Sequence, residues 1–266
     1  LITWLRIGLV LSLLAIVTLV LLPFQLVALW LDLNMRRTLP RLWHRAACRL
    51  LGIRVHVHGT LETRRPLMLS SNHVSWKDIL VLGSVADVVF IAKAEVAEWP
   101  IFGILARLQK SIFVVREHKR RTGDQVNEIA KRMRDGEIVV LFPEGTTSDG
   151  NRILEVKSSL FGAASAATTD APGGTVYIQP VAIAYTRVQG MAMGRYHRPI
   201  AAWPGDITLL PSLMGVLKEG ALDVDVAFGD AIPFHQGDNR KRLTQHASAQ
   251  MRSLLVRHLL GRPDAA

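Results

Sequence analysis

Residues Ser70 to Asp78 read SSNHVSWKD and place a histidine five positions ahead of an aspartate, directly after the apolar run Pro66–Leu69. An imidazole gripped at one ring nitrogen by a carboxylate keeps the other nitrogen free to take a proton. The carboxylate also stabilises the imidazolium that results. On a regular helix a spacing of five sets two side chains well apart around the axis, so a His73–Asp78 pair needs irregular backbone between them. A strand–loop–helix passage supplies that, with His73 in the loop and Asp78 in the first helical turn. The same polar residues also suit a plainer role, capping the helix that follows.

A second stretch, LFPEGTTSDGNR at 141–152, runs from an apolar strand into a loop dense in hydroxyls, turn residues and backbone N–H groups. Such a loop can cradle an anion or fix a polar head group, and it can also be a long surface turn. Arg116, at the end of the strand-like KSIFVVRE, and Lys157 are candidate counter-charges, as is Arg152. His56 and His58 alternate on one strand face with no acidic or cysteine partner near in sequence, so no metal is expected. The single cysteine, Cys48, excludes an internal disulfide framework. Its neighbours in HRAACRLLG are apolar, which predicts a packed thiol rather than a nucleophile.

The elements that must position these residues alternate along the chain. Strands are expected at Ile53–His58, Leu67–Ser70, Val88–Ile91, Ser111–Val115, Ile138–Phe142, Val176–Ala184 and Leu222–Phe228. Helices are expected at Leu39–Gly52, Asp78–Val85, Ala94–Leu108, Gly123–Asp135, Ser158–Thr168 and, as a closing element, Asn239–Leu260. Thr169–Gly174 and Tyr196–Pro211 read as loops. Short, wholly apolar strands such as IVVLF suit a sheet buried on both faces. The pattern predicts an α/β layered fold, a mostly parallel sheet flanked by helices, which places ligands outside the carboxyl ends of its strands.

The 266 residues carry a formal charge of +10, a balance that suits nucleic acid, an anionic membrane face or an acidic substrate. Zinc-finger spacing, RNP-type aromatics and a basic region followed by heptads are all missing, so nucleic acid is not the expected partner. Ile7 to Trp30 contains no charged residue and is long enough for a membrane helix, which needs roughly 20 residues. Pro23 either kinks this segment or divides it into a re-entrant pair. Arg36, Arg37, Arg41, Arg45 and Arg49 follow it against Arg6 alone before it, and that asymmetry predicts a chain facing the cytoplasm behind a membrane-associated N-terminal helical segment.

Four blocks, in order, resemble the glycerolipid acyltransferases of the lysophosphatidic acid acyltransferase (PlsC-like) type. NHVSWKD at 72–78 resembles the first, IFVVRE at 112–117 the second, FPEGTTS at 142–148 the third and IQPVAIAY at 178–185 the fourth. The resemblance implies a general base at His73, oriented by Asp78, and acceptor contacts from Arg116, Glu144, Gly145 and Thr146, with Lys157 beside them. It implies direct acyl transfer from acyl-ACP or acyl-CoA, used as co-substrate with no further cofactor, to a lysolipid hydroxyl at the inner (cytoplasmic) membrane. Residues 1–52 would be the anchor and basic amphipathic helix, and 53–266 the acyltransferase domain.

Two positions depart from the pattern. Val115 stands where the second block usually carries Asp, and Thr147 where the third carries Arg. A hydroxyl cannot replace the bidentate phosphate clamp of a guanidinium. The run EGTTSDGN is similar to the branch that acylates lyso-ornithine lipid, an acceptor without phosphate. Both lyso-ornithine lipid and 1-acyl-glycerol-3-phosphate therefore stand as acceptors. The rival classes are a lipid hydrolase, against which the missing G-x-S-x-G and H-E-x-x-H motifs count, and a non-catalytic membrane-attached lipid-binding protein. The segment AEVAEWPIFGILARL, 94–108, is expected either to line an acyl groove or to pack in the core.

Overall fold

The computed structural model describes residues 2–115, 122–204 and 209–261. Its strands are β1 (Ile53–His58), β2 (Leu67–Ser71), β3 (Val88–Lys93), β4 (Ile112–Val114), β5 (Ile138–Leu141), β6 (Thr175–Val188), β7 (Met191–Ala192), β8 (Leu222–Phe228) and β9 (Ile232–His235). They form one sheet ordered β1-β8-β6-β2-β5-β3-β4, with β7 and β9 added alongside β6. The pairs β2–β5, β2–β6, β3–β5, β3–β4 and β1–β8 are parallel, while β6 runs antiparallel to β7, β8 and β9. The sheet is mostly parallel and flanked by helices, as the alternation of elements requires.

All five residues of β2 are buried, because the strand lies between β5 and β6 with helices over both faces. Its last residue in the ladder is Ser71, opposite Val181. Asn72 then extends the pairing with its side chain: Nδ2 donates to Ile183 O at 3.0 Å, and Ile183 N donates to Oδ1 at 2.7 Å. The start of the next loop is thus fastened to β6 before the chain turns away.

The helices are α1 (Ile2–Trp30), α2 (Met35–Leu50), α3 (Lys77–Val85), α4 (Phe102–Leu108), α5 (Thr122–Arg134), α6 (Gly162–Ala167), α7 (Leu209–Glu219) and α8 (Arg240–Leu259). α1 passes through Pro23 without dividing. It lies along the domain and is tied to it near both ends. Arg6 donates to Lys218 O at 2.9 Å, and Gln25 donates to Leu108 O at 2.7 Å and to Arg36 O at 3.1 Å. Those bonds account for a glutamine only 5% exposed inside an apolar helix. Residues before and after position 52 share one hydrophobic cluster, in which Ile7, Val10, Ala47, Cys48 and Leu51 meet Leu67, Val81 and Val224. Burial raises the Cys48 thiol to about 12, so it is protonated at neutral pH.

Three segments differ from the sequence expectations. Residues 94–108 form no single helix but a 3₁₀ turn at Ala94–Glu98 and then α4. Pro100 is the reason: it forces Trp99 into an extended conformation with ψ 132° and offers no N–H to the preceding turn. Ser158–Thr168 likewise divides into a 3₁₀ turn, Ser158–Phe161, and α6. The stretch read as a loop after Tyr196 gives way to α7, whose apolar residues Val216 and Leu217 pack into the main cluster.

α2 packs on α3 through His44, and a Cβ on Gly83 would stand 2.4 Å from the His44 ring, so glycine is what lets the helices approach. Burial pushes the His44 pKa from 6.5 down to about 4, with the Gln109 hydrogen bond opposing. The folded protein therefore holds this proton less tightly than the unfolded chain does. Stability from His44 is complete above pH 6.5 and falls as pH drops toward about 4, by about 3 kcal/mol at the limit. Thermal melts across that range are expected to show a falling midpoint, and His44→Gln is expected to flatten the fall.

Candidate active site

β2 delivers its chain at the centre of the sheet, and the five residues Asn72–Trp76 cross from it to α3. Asp78 lies in the first turn of α3 and is fully buried. Its Oδ2 accepts from His73 Nδ1 at 2.8 Å, from Val74 N at 2.6 Å and from Ser75 N at 2.9 Å. Its Oδ1 accepts from the Tyr185 hydroxyl at 2.8 Å. Of the two roles the sequence allows for this polar run, the carboxylate takes the one that holds the imidazole, and the N-cap position, Trp76, has no side-chain cap. It gathers the two loop N–H groups of Val74 and Ser75 ahead of the helix and holds the imidazole with the same oxygen.

An acceptor-only carboxylate places the proton of His73 on Nδ1 and leaves Nε2 with its lone pair. The ring stacks on Phe142, centroids 4.0 Å apart and planes 15° apart, and its side chain remains 19% exposed. His73 thus has one face covered, one nitrogen fixed and one nitrogen available. That is the arrangement of a general base.

Tyr185 is the partner that pattern reading missed. It closes the IQPVAIAY block on β6, and the Asn72–Ile183 clamp brings it within reach of Asp78. Burial, followed by the charge of Asp78, raises its pKa well above 10, so the phenol stays neutral and donates. Lys77 is also wholly buried, with Nζ 5.4 Å from the Trp76 ring centroid and 5.9 Å from that of Tyr185, and its Nζ makes no hydrogen bond. Burial lowers its pKa to about 8 against the opposing charge of Asp78.

The Pro-Glu-Gly turn sits beside this pair. Gly145 takes φ 72°, a left-handed conformation that suits glycine, and its N–H donates to Phe142 O at 3.1 Å. Glu144 is 2% exposed, and both its oxygens meet backbone donors: His73 N at 2.7 Å and Leu154 N at 2.6 Å. Burial raises its carboxyl above the usual range, against the pull of those N–H groups. The family resemblance gives Glu144 an acceptor contact, whereas here its carboxylate ties the turn to the backbone of His73. Ser148 N donates to His73 O at 2.8 Å and Trp203 N to Val74 O at 2.9 Å, which completes the frame.

The other candidates lie as follows. Thr146 is exposed at the tip of the turn. Lys157 is drawn beside it by its backbone N–H, which donates to Pro143 O at 3.0 Å. Thr147 directs its hydroxyl to Trp203 O at 2.5 Å. Arg152 lines a cavity of about 510 Å³ between residues 152–156 and α8, with Arg252 on its other wall. Arg116 lies outside the described residues.

The acyltransferase family model matches residues 52–184, the interval that carries β1 to β5, the first ten residues of β6 and both the His73–Asp78 pair and the Pro-Glu-Gly turn. The chain belongs to the acyltransferase family. This acyltransferase is 62% identical over 265 residues to a lyso-ornithine lipid O-acyltransferase of Rhizobium meliloti (strain 1021), a match covering 100% of the chain and 91% of that protein. It is 50% identical to the lyso-ornithine lipid O-acyltransferase of Brucella abortus (strain 2308), covering 98% of each. A 1-acyl-sn-glycerol-3-phosphate acyltransferase of Neisseria gonorrhoeae is 32% identical over 108 residues, 38% of this chain and 42% of that one. The fold is similar to that of the crystal structure of the 1-acyl-sn-glycerophosphate acyltransferase PlsC from Thermotoga maritima, with a TM-score of 0.64 over 96% of this chain and 97% of that one, at 19% identity.

In this acyltransferase, Tyr185→Phe removes one donor from a buried carboxylate, a loss of about 1.5–3 kcal/mol for a charged hydrogen bond. Steady-state kinetics are expected to show kcat reduced about tenfold or more with KM little changed. A variant with unaltered kcat excludes Tyr185 from holding the pair.

Proposed function

We propose that this acyltransferase moves a fatty acyl group from an acyl thioester, carried by acyl carrier protein or coenzyme A, to the free hydroxyl of lyso-ornithine lipid. The observation that carries the acceptor is Thr147. At the position where the resemblance expects an arginine, the hydroxyl donates to the backbone of Trp203 and presents no charge to a phosphate. Two relatives that cover nearly the whole chain bear the lyso-ornithine lipid name.

In the reaction, His73 Nε2 takes the proton of the acceptor hydroxyl as the oxygen attacks the thioester carbonyl. The C–S bond breaks as the ester forms, and the imidazolium returns the proton to the departing thiolate. A positioned base of this kind contributes about 10²–10⁴-fold. Asp78 holds the ring and offsets its positive charge throughout. Thr146, Lys157 and the Gly145 turn, beside the pair, would contact the acceptor, a role the resemblance also gives to Arg116.

The substrates are amphiphiles, and the outer face of α1 suits their setting. Leu9, Leu11, Ile16, Leu19, Val20 and Phe24 are exposed there, and Ile101 and Ile104 of the neighbouring segment are 68% and 59% exposed. Trp99 meets Trp203 edge-on at 6.3 Å, linking that segment to the loop over Val74. We place these apolar faces in the cytoplasmic leaflet of the inner membrane, with the α2 arginines at the head groups.

Membranes containing the protein, supplied with acyl-ACP or acyl-CoA and one lysolipid at a time, are expected to convert lyso-ornithine lipid to the diacyl product, read by mass spectrometry. His73→Ala is expected to reduce turnover at least 100-fold, on the order set for a general base, while the thermal midpoint stays close to the parent. Efficient acylation of 1-acyl-glycerol-3-phosphate with lyso-ornithine lipid ignored refutes the reading of Thr147. Fatty acid release without an acceptor points to hydrolysis instead.

A further inference from the structure

A second cluster of ionisable side chains lies away from His73. It joins the last residue of the edge strand β1, the middle of β8 and the final turn of α8. β1 and β8 pair in parallel, with His56 opposite Asp225 and His58 opposite Ala227, so His58 and Asp225 share a face on the diagonal. His258 reaches the same spot from α8 and is 3% exposed. Its Nδ1 stands 3.1 Å from Asp225 Oδ2, and His58 Nε2 stands 3.5 Å from Asp225 Oδ1. The two rings lie 4.4 Å apart, tilted by 58°.

We propose that His58, Asp225 and His258 form a binding site for a divalent transition-metal cation of the zinc class, which fastens the end of α8 to the edge of the sheet. One ligand atom from each residue lies within 4.8 Å of the other two. Donors around a tetrahedral zinc sit roughly 3–3.5 Å apart, given metal–ligand lengths of roughly 2.0–2.2 Å, so small side-chain rotations close the set. His58 Nε2 is buried and faces Asp225 Oδ1 at 3.5 Å without completing a hydrogen bond to it, so the protein alone satisfies this nitrogen poorly. Two imidazoles and one carboxylate select a borderline-soft cation. Calcium and magnesium call for more oxygen ligands than this site offers.

The set is specific to these three residues. His56, two positions earlier on β1, meets Asp223 at 3.1 Å and stands outside the cluster. His58 keeps 30% of its side chain exposed, so the cluster lies near the surface, where a cation has a way in. Asp225 pairs with Ala184 and Val224 with Tyr185, so the cluster lies on the opposite face of the sheet from Tyr185 and Asp78. The role is therefore that of a staple and not of a Lewis acid in acyl transfer. Its leverage is on α8, whose Met251 receives the Ser70 hydroxyl bond at 3.8 Å just ahead of the His73 loop.

The test uses tag-free, full-length protein in detergent, stripped with chelator and titrated with Zn²⁺ alone. Metal analysis after dialysis is expected to give about one ion per chain, and the thermal midpoint is expected to rise by several degrees, as binding to the folded state requires. His58→Gln and His258→Gln are each expected to weaken binding at least tenfold and to abolish the rise, while His73→Ala retains both. Circular dichroism and the metal-free midpoint separate lost ligands from lost fold. No stoichiometric uptake by the parent protein, or uptake that persists when both histidines are replaced, overturns the proposal.

Discussion

The structure depends on one buried negative charge. Removing an ionised carboxylate from water is costly unless its oxygens are supplied with donors, and Asp78 has four: two backbone N–H groups, an imidazole and a phenol. Each donor arrives from a different requirement of the fold. The backbone groups and the imidazole belong to the loop between the central strand and α3, and the phenol comes from β6. Loss of any one leaves the charge less well satisfied, so helix start, loop shape and ring orientation are coupled through a single side chain.

A second buried carboxylate extends the same logic. Glu144 bridges the N–H groups of His73 and Leu154, joining the loop that carries the imidazole to the Pro-Glu-Gly turn and the segment after it. The two loops follow β2 and β5, which are adjacent and parallel, so their carboxyl ends open at the same edge of the sheet. This is why two motifs about 70 residues apart in sequence act as one site. Chemistry is thereby confined to the rim, while the strands below contribute only rigidity.

Much of this was legible in advance. The pair His73–Asp78 followed from residue type, spacing and a predicted strand–loop–helix passage, all of them local features. Short, wholly apolar strands such as IVVLF of β5 announced a sheet buried on both faces. The helix at 94–108 was misread because apolar periodicity outweighed Pro100, a residue that stops a helix whatever its neighbours prefer. Only the first three residues of α7 fall in the stretch read as loop, Tyr196–Pro211, and the rest of the helix was not expected, because the packing of Val216 and Leu217 that holds it is tertiary. Glu144 was expected to contact the acceptor, whereas its partners in the fold, two backbone amides, carry no signature in sequence.

By itself the sequence determined the elements, the imidazole–carboxylate pair and the apolar N-terminal segment, because periodicity, spacing and charge asymmetry act over a few residues. Tertiary structure alone decided that Tyr185 completes the carboxylate, that α1 runs along the domain through Pro23, and that His58, Asp225 and His258 converge. Those contacts span from 33 to more than 100 positions of chain. Which side chains meet across such separations is set by strand order and register, which no single segment encodes.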